Sequence, residues 1–264
     1  MNDKPLSYGR KSISASTSPE ELMTKRPRLS KVWTADVITL YPNLFPGVLS
    51  ESIVGKSLEK NKWALETVNL RDFGIGTHKK VDDTPAGGGA GLVLRADVIE
   101  PALEKSISNS TKVRPLVYMS PRGKRFDQTV AKKWAAGPGV IILCGRFEGI
   151  DERILESYDI DEISLGDFVM TGGEIAAQAM IDATVRLLPN VLGNPDSSLD
   201  ESHSNGLLEY PQYTKPAEWK GQKIPETLLS GHHKNIAKWR MDQAKTKTKK
   251  YRPDLWKAWN KTKN

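Results

Sequence analysis

The sequence has a single cysteine, Cys144, among its 264 residues. This excludes an intramolecular disulfide framework and any cysteine-based zinc module. It also suits a reducing compartment, and a cytoplasmic location is expected. Long apolar runs are missing as well. The run Val140-Ile141-Ile142-Leu143-Cys144 is typical of the longest, far short of the roughly 20 residues a transmembrane helix needs. No membrane partner is therefore expected. No apolar stretch follows the basic residues near the N terminus, so a secretory signal is not expected either.

Several familiar site motifs fail on inspection. Gly55-Lys56-Ser57 ends like a phosphate-binding loop, but the position that needs glycine holds Ser50. The run Gly87-Gly88-Gly89-Ala90-Gly91 does not follow an apolar strand, so a dinucleotide fingerprint fails on context. His232 and His233 are adjacent and badly spaced for one metal, and there is neither a nucleophile elbow nor an HExxH motif. No protein metal site is expected.

What is present describes a globular chain: 38% hydrophobic and 27% charged residues, long enough for one large domain or two small ones. The net charge of +7 is unevenly spread. Residues 1–31 carry +4, residues 32–214 carry −7, and residues 215–264 carry +10. A basic C-terminal module on an acidic body suits a polyanion such as nucleic acid. A lysine-rich solvated helix would give the same count.

Residues 1–30 read as an extension: Ser/Thr-rich, without apolar periodicity, unable to offset their ordering entropy. Met23 lies close to the first strand-like run and offers a second reading of where translation starts. Strands are expected at Val32–Leu40, Ala64–Leu70, Pro115–Met119, Gly139–Cys144 and Glu162–Leu165. Helices are expected at Ala96–Ile107, at Asp127–Ala135 with Asp127 as N-cap, and at Glu174–Leu188 with Ile175, Ala179, Met180, Ala183 and Leu187 on the buried face. Alternating strands and helices predict an α/β domain with a mostly parallel sheet. Asn190–Asn205 is a long polar stretch, a linker or a functional loop. Beyond it the chain reads as helical, with Pro253 opening a last helix and Trp256 and Trp259 sharing one of its faces.

Three glycine-bearing loops follow strand candidates: Tyr118–Gly123, Cys144–Gly149 and Ser164–Glu174. Ligands of open α/β sheets bind beyond the carboxyl ends of the strands, and glycines let backbone groups approach them closely. Each loop alone could be only a tight turn. Three together, with Phe147 and Phe168 available to flank a ring, favour a nucleoside-like ligand. Arg186 lies near the end of the third helix, and Asp196, Asp200, Glu201 and His203 follow in the polar stretch. A mobile carboxylate there could act as a general base, or be merely solvated. Cys144 reads as an inert core thiol.

Leu70-Arg71-Asp72-Phe73-Gly74, Val81-Asp82-Asp83-Thr84-Pro85 with the glycine run, Cys144–Gly149, Ile163–Glu174 and Gly206-Leu207-Leu208-Glu209-Tyr210-Pro211-Gln212-Tyr213-Thr214 occur in one order. From about Val32 to Trp259 the chain closely resembles the bacterial tRNA (guanine-N1-)-methyltransferases, which modify the guanosine at tRNA position 37, just 3′ of the anticodon. The resemblance implies an α/β SPOUT-type fold: a mostly parallel sheet, a deep C-terminal trefoil knot and a small all-helical C-terminal domain. It implies an S-adenosyl-L-methionine-binding methyltransferase domain over residues 31–189, a linker with catalytic residues over 190–206, and a basic tRNA-binding domain over 207–264. It further implies a homodimer with shared active sites, tRNA as partner and a possible Mg²⁺ requirement.

By motif, the resemblance assigns S-adenosylmethionine to Tyr118, Ser120 and Pro121 of the first loop, and to Gly145, Phe147, Glu148 and Gly149 of the second. From the third it assigns Ser164, Leu165, Gly166, Asp167, Phe168, Val169, Met170, Gly172 and Gly173. The family's arginine matches Arg186 and its base matches Glu201, with Asp200 as the alternative. The chain departs from the common pattern at Ala86, Ala90 and Ala176. Other SPOUT RNA methyltransferases, or a non-catalytic RNA binder on the same fold, are the competing readings.

Overall fold

A computed structural model describes residues 32–110, 112–192, 202–203 and 205–262. The expected extension at 1–30 lies outside these residues, as do Asp196, Asp200 and Glu201. Seven strands precede the polar stretch: β1 (Trp33–Thr39), β2 (Trp63–Asn69), β3 (Asp82–Asp83), β4 (Val93–Leu94), β5 (Leu116–Arg125), β6 (Gly139–Cys144) and β7 (Asp161–Ser164). Five of them form one sheet in the order β2-β1-β6-β5-β7, every pairing parallel. The helices are α1 (Ser52–Glu59), α2 (Ala96–Ser108), α3 (Gln128–Ala136), α4 (Glu152–Ser157) and α5 (Glu174–Val185).

Parallel strands covered on both faces read as continuous apolar runs, and β6 is buried at every position. Its side chains alternate between two cores, as strand geometry requires. Val140, Ile142 and Cys144 join Met180, Ile181 and Val185 of α5 on one face. Ile141 and Leu143 join Val98, Leu103 and Ile154 on the other. Asp127 caps α3 as expected, its carboxylate accepting from the Thr129 and Val130 amides at 2.8 and 2.9 Å. The short α1 and α4, of eight and six residues, lie outside the helices expected from sequence.

The buried face of α5 keeps Met180 of the expected face but differs from it elsewhere. Ala176, Ala177, Met180, Ile181, Thr184 and Val185 face the core, whereas Ile175 is 66% exposed and Ala179 is exposed. This helix is apolar almost all round, so periodicity could not choose between two adjacent stripes. The α-helix also ends at Val185, three residues early; the Leu187 and Leu188 amides bond back three residues to Thr184 and Val185, a 3₁₀-type closing turn.

The C-terminal segment is not helical throughout. A two-stranded hairpin, β8 (Glu218–Trp219) and β9 (Gln222–Lys223), precedes α6 (Glu226–Leu229), α7 (His233–Tyr251) and α8 (Pro253–Lys261). Its two-residue turn, Lys220-Gly221, has φ of +49° and +75°, the conformation that suits hairpin twist. Pro253 opens α8 as expected, and the Trp256 and Trp259 rings stack at 5.4 Å. No helix among the described residues is long and apolar enough to cross a membrane.

Candidate active site

The three glycine-bearing loops meet because β6, β5 and β7 are neighbours that all point the same way. The first loop is a detour within β5. Met119 pairs with Ile163 of β7, the chain leaves the sheet over Ser120–Gly123, and Lys124 returns to pair with the same Ile163. Gly123 permits this, since a Cβ there would sit 2.3 Å from the Glu162 carbonyl carbon. The second loop follows β6 and the third follows β7. Backbone groups zip these two together: the Gly173 amide donates to the Gly145 carbonyl at 3.1 Å, and Arg146 bridges Gly172.

One open-mouthed cavity of about 230 Å³ lies between the loops. It is lined by Tyr118, Ser120 and Pro121, by Gly145, Phe147, Glu148 and Gly149, and by Ser164, Leu165, Gly166, Phe168, Val169, Met170, Gly172 and Gly173. Of the residues assigned by resemblance to this pocket, Asp167 alone is not brought to it. Its carboxylate instead accepts from Arg125 at 2.6 Å and is largely exposed. Met119, Arg146, Ile163, Thr171 and Ala176 also line the cavity and were not expected. Arg146 sits inside a quoted motif, yet nothing in its spacing marks it as a lining residue.

The glycines keep the floor open. A Cβ on Gly145 would fall 2.7 Å from the Tyr118 hydroxyl, and one on Gly173 would fall 2.8 Å from Met119 Cβ. Phe147 and Phe168 stand at the rim, 48% and 54% exposed. Burial pushes the Tyr118 hydroxyl up to about 12, so it stays neutral. Burial likewise raises the Cys144 thiol well above its usual range, consistent with an inert core thiol. The glycine run has a place here too. Its hairpin, β3 with β4, is stitched to the second loop: the Glu148 amide donates to Leu92 and the Leu94 amide to Gly149, each at 3.0 Å.

Arg186 is not at this cavity. It caps the C-terminal end of α5, ten residues beyond Ala176, which is about 15 Å along a helix axis. Glu201 and Asp200 lie outside the described residues. On the C-terminal side of the polar stretch, the His203 amide donates to Leu207, and the Leu208 amide to the buried Thr248 hydroxyl of α7 at 2.8 Å. Among the described residues no three His, Cys, Asp or Glu side chains gather as a metal site.

Comparison with known proteins joins this geometry to a family. Residues 33–258 match the model of the tRNA (guanine-1)-methyltransferases, TrmD. A protein of Ruegeria sp. (strain TM1040) named tRNA (guanine-N(1)-)-methyltransferase is 59% identical over 242 residues, covering 92% of this chain and 99% of that protein. Proteins of the same name from Gluconobacter oxydans (strain 621H) and Brucella ovis are 53% and 52% identical, each over 86% of this chain. The chain belongs to the tRNA (guanine-1)-methyltransferase family, TrmD.

Proposed function

We propose that this protein transfers the methyl group of S-adenosyl-L-methionine to N1 of a guanosine in tRNA, at position 37 just 3′ of the anticodon, giving 1-methylguanosine. The observation that carries this reading is the convergence of three strand-end loops on one cavity, in a chain whose family acts on tRNA guanine. The cavity suits the donor. Its open glycine floor exposes backbone donors and acceptors to a purine edge, Phe147 and Phe168 flank a ring, and the Glu148 carboxylate suits a sulfonium cation. The detour of β5 beside β7 and the zipped second and third loops are what a trefoil knot over residues 118–174 would need. The domain reading is 31–189 for the donor, 190–206 for the linker and 207–264 for tRNA.

Guanine N1 carries a proton and is a poor nucleophile until that proton leaves. Glu201, or Asp200 beside it, accepts the proton, a step worth typically about 10²–10⁴-fold. Negative charge grows on O6 as the proton goes, and the Arg186 guanidinium stabilises it. N1 then forms a bond to the methyl carbon as the carbon–sulfur bond breaks. That electron pair returns to sulfur, leaving S-adenosylhomocysteine. Mg²⁺ titration of the assay reads whether the reaction needs the ion.

The position of Arg186 bears on assembly. About 15 Å of helix separates it from Ala176, a span that suits an active site completed by a second copy. Exposed Ile175 and Ala179 flank Gln178, whose side-chain amide donates to the Leu44 carbonyl at 2.9 Å, and Leu44 and Val48 are exposed as well. Antiparallel pairing of two α5 helices over this apolar surface brings Arg186 of one copy toward the cavity of the other. Sedimentation is expected to give twice the chain mass, and the V48D/I175D double variant is expected to sediment as a monomer and lose turnover.

The decisive assay is methyl transfer from labelled S-adenosylmethionine to two unmodified tRNA transcripts, one with guanosine 3′ of the anticodon and one with another base. Label on the first alone, recovered as 1-methylguanosine, is expected. Label on both moves the target elsewhere, and tight binding without label makes the protein a non-catalytic binder. Glu201→Gln is expected to cost at least about 100-fold in turnover while leaving donor affinity intact. Undiminished turnover transfers the base role to Asp200.

A further inference from the structure

Two charged residues are among those that line the candidate cavity, Arg146 and Glu148, and their surroundings differ. Arg146 is held against Glu174, the first residue of α5: Nε donates to Oε1 at 3.2 Å and Nη2 lies 2.9 Å from Oε2. Nη1 donates to the Thr171 carbonyl at 3.3 Å, and the guanidinium stacks 4.5 Å from the Tyr41 ring centre. Glu174 is only 1% exposed, and its Oε1 also accepts from the buried Thr39 hydroxyl at 2.8 Å. The helix N terminus adds its own partial positive charge. Glu148 has no ion-pair partner among the described residues.

A buried ion pair offers little net stability over apolar packing of the same volume, so stability alone does not account for Glu174. Its charge has a consequence for the ligand. With Arg146 neutralised, Glu148 is the remaining charged residue among those that line the cavity. Without Glu174, the Arg146 and Glu148 charges would cancel. We propose that Glu174 is a specificity-determining residue: by neutralising Arg146 it keeps the cavity selective for a sulfonium cation over the neutral thioether left after methyl transfer. This rests on the donor reading above. It gives the site a way to bind the cationic donor and release the spent product.

The test is direct binding by calorimetry of S-adenosylmethionine and S-adenosylhomocysteine, which differ by one methyl group and one positive charge on sulfur. The full-length protein is compared with E174Q, R146Q and the E174Q/R146Q double variant. In E174Q the preference for S-adenosylmethionine is expected to fall by about 3- to 10-fold, the scale of one unit charge several ångströms away in a partly solvated site. In R146Q it is expected to rise, and in the double variant to return to within about twofold of the unsubstituted protein. A pair that only fastens the loops would weaken both ligands alike. A folded E174Q with an unchanged preference therefore overturns the proposal, as does a double variant that fails to restore it. Should E174Q not fold, R146Q decides, and a preference that does not rise overturns it. Failure of the unsubstituted protein to bind either ligand refutes the donor reading itself and, with it, this inference.

Discussion

At Gly173 the backbone has φ of −81°, which any residue adopts, so glycine is not required by conformation. It is required by contact. A Cβ would meet Met119 Cβ at 2.8 Å, Cys144 Cα at 3.1 Å and the Gly145 amide nitrogen at 3.3 Å. Two of these are backbone atoms of the second loop and cannot swing aside. Gly173→Ala is expected to destabilise the fold by about 1–3 kcal/mol, the usual cost of overpacking, and to loosen the cavity where the second and third loops are zipped. Gly137→Ala is the control. There the nearest atom to a Cβ is 3.4 Å away, and a change within about 0.5 kcal/mol is expected for such a surface site. Denaturant midpoints of the two variants read the difference.

A side-chain pair opens α8. Asp254 stands in its first turn and accepts from Arg252 Nε and Nη2 at 2.9 and 2.6 Å. The Arg252 hydrogen bonds hold the Asp254 carboxyl down at about 2, below its ordinary 3.8. A carboxyl depressed in the folded state stabilises at pH above its unfolded value and loses that contribution as pH falls. The start of α8 is therefore expected to loosen between about pH 4 and pH 2. The stacked Trp256 and Trp259 rings report it through their near-ultraviolet circular dichroism. Asp254→Asn is expected to remove the part of the transition that belongs to this carboxyl. The stack also bears on the polar stretch, since a Cβ on Gly206 would lie 3.5 Å from the Trp259 ring. With Thr248 bonded to Leu208, α7 and α8 anchor the chain just after the candidate base.

The whole molecule is electrically divided. The body over 32–214 carries −7 and the segment over 215–264 carries +10. An acidic body repels tRNA generally, and a basic module draws it to one side. Lys245, Lys247, Lys249 and Lys250 all lie on α7. Replacing the four with Gln is expected to weaken tRNA binding. It is also expected to flatten the slope of log affinity against log salt by about 2–4, close to 0.9 for each phosphate no longer neutralised. An unchanged slope would remove α7 from phosphate recognition.

Local signals determined much of this protein. The alternation of apolar strand and helix patterns carried the α/β class, because burial on both faces demands continuous apolar runs. The Asp127 cap, Pro253 at the head of α8 and the shared face of Trp256 and Trp259 are all short-range features, decided within one or two helical turns. The loop motifs, long and in fixed order, carried the family. Tertiary structure alone decided what depends on neighbours distant in sequence. The strand order that sets β6, β5 and β7 side by side made three separate loops into one cavity. Packing chose which stripe of the largely apolar α5 faces the core, since both stripes satisfy the helical period. It turned Asp167 outward to Arg125 and buried Glu174 against Arg146, pairs 42 and 28 residues apart in sequence. A charge–charge contact of that span leaves no periodic trace, because it depends on two loops meeting in space.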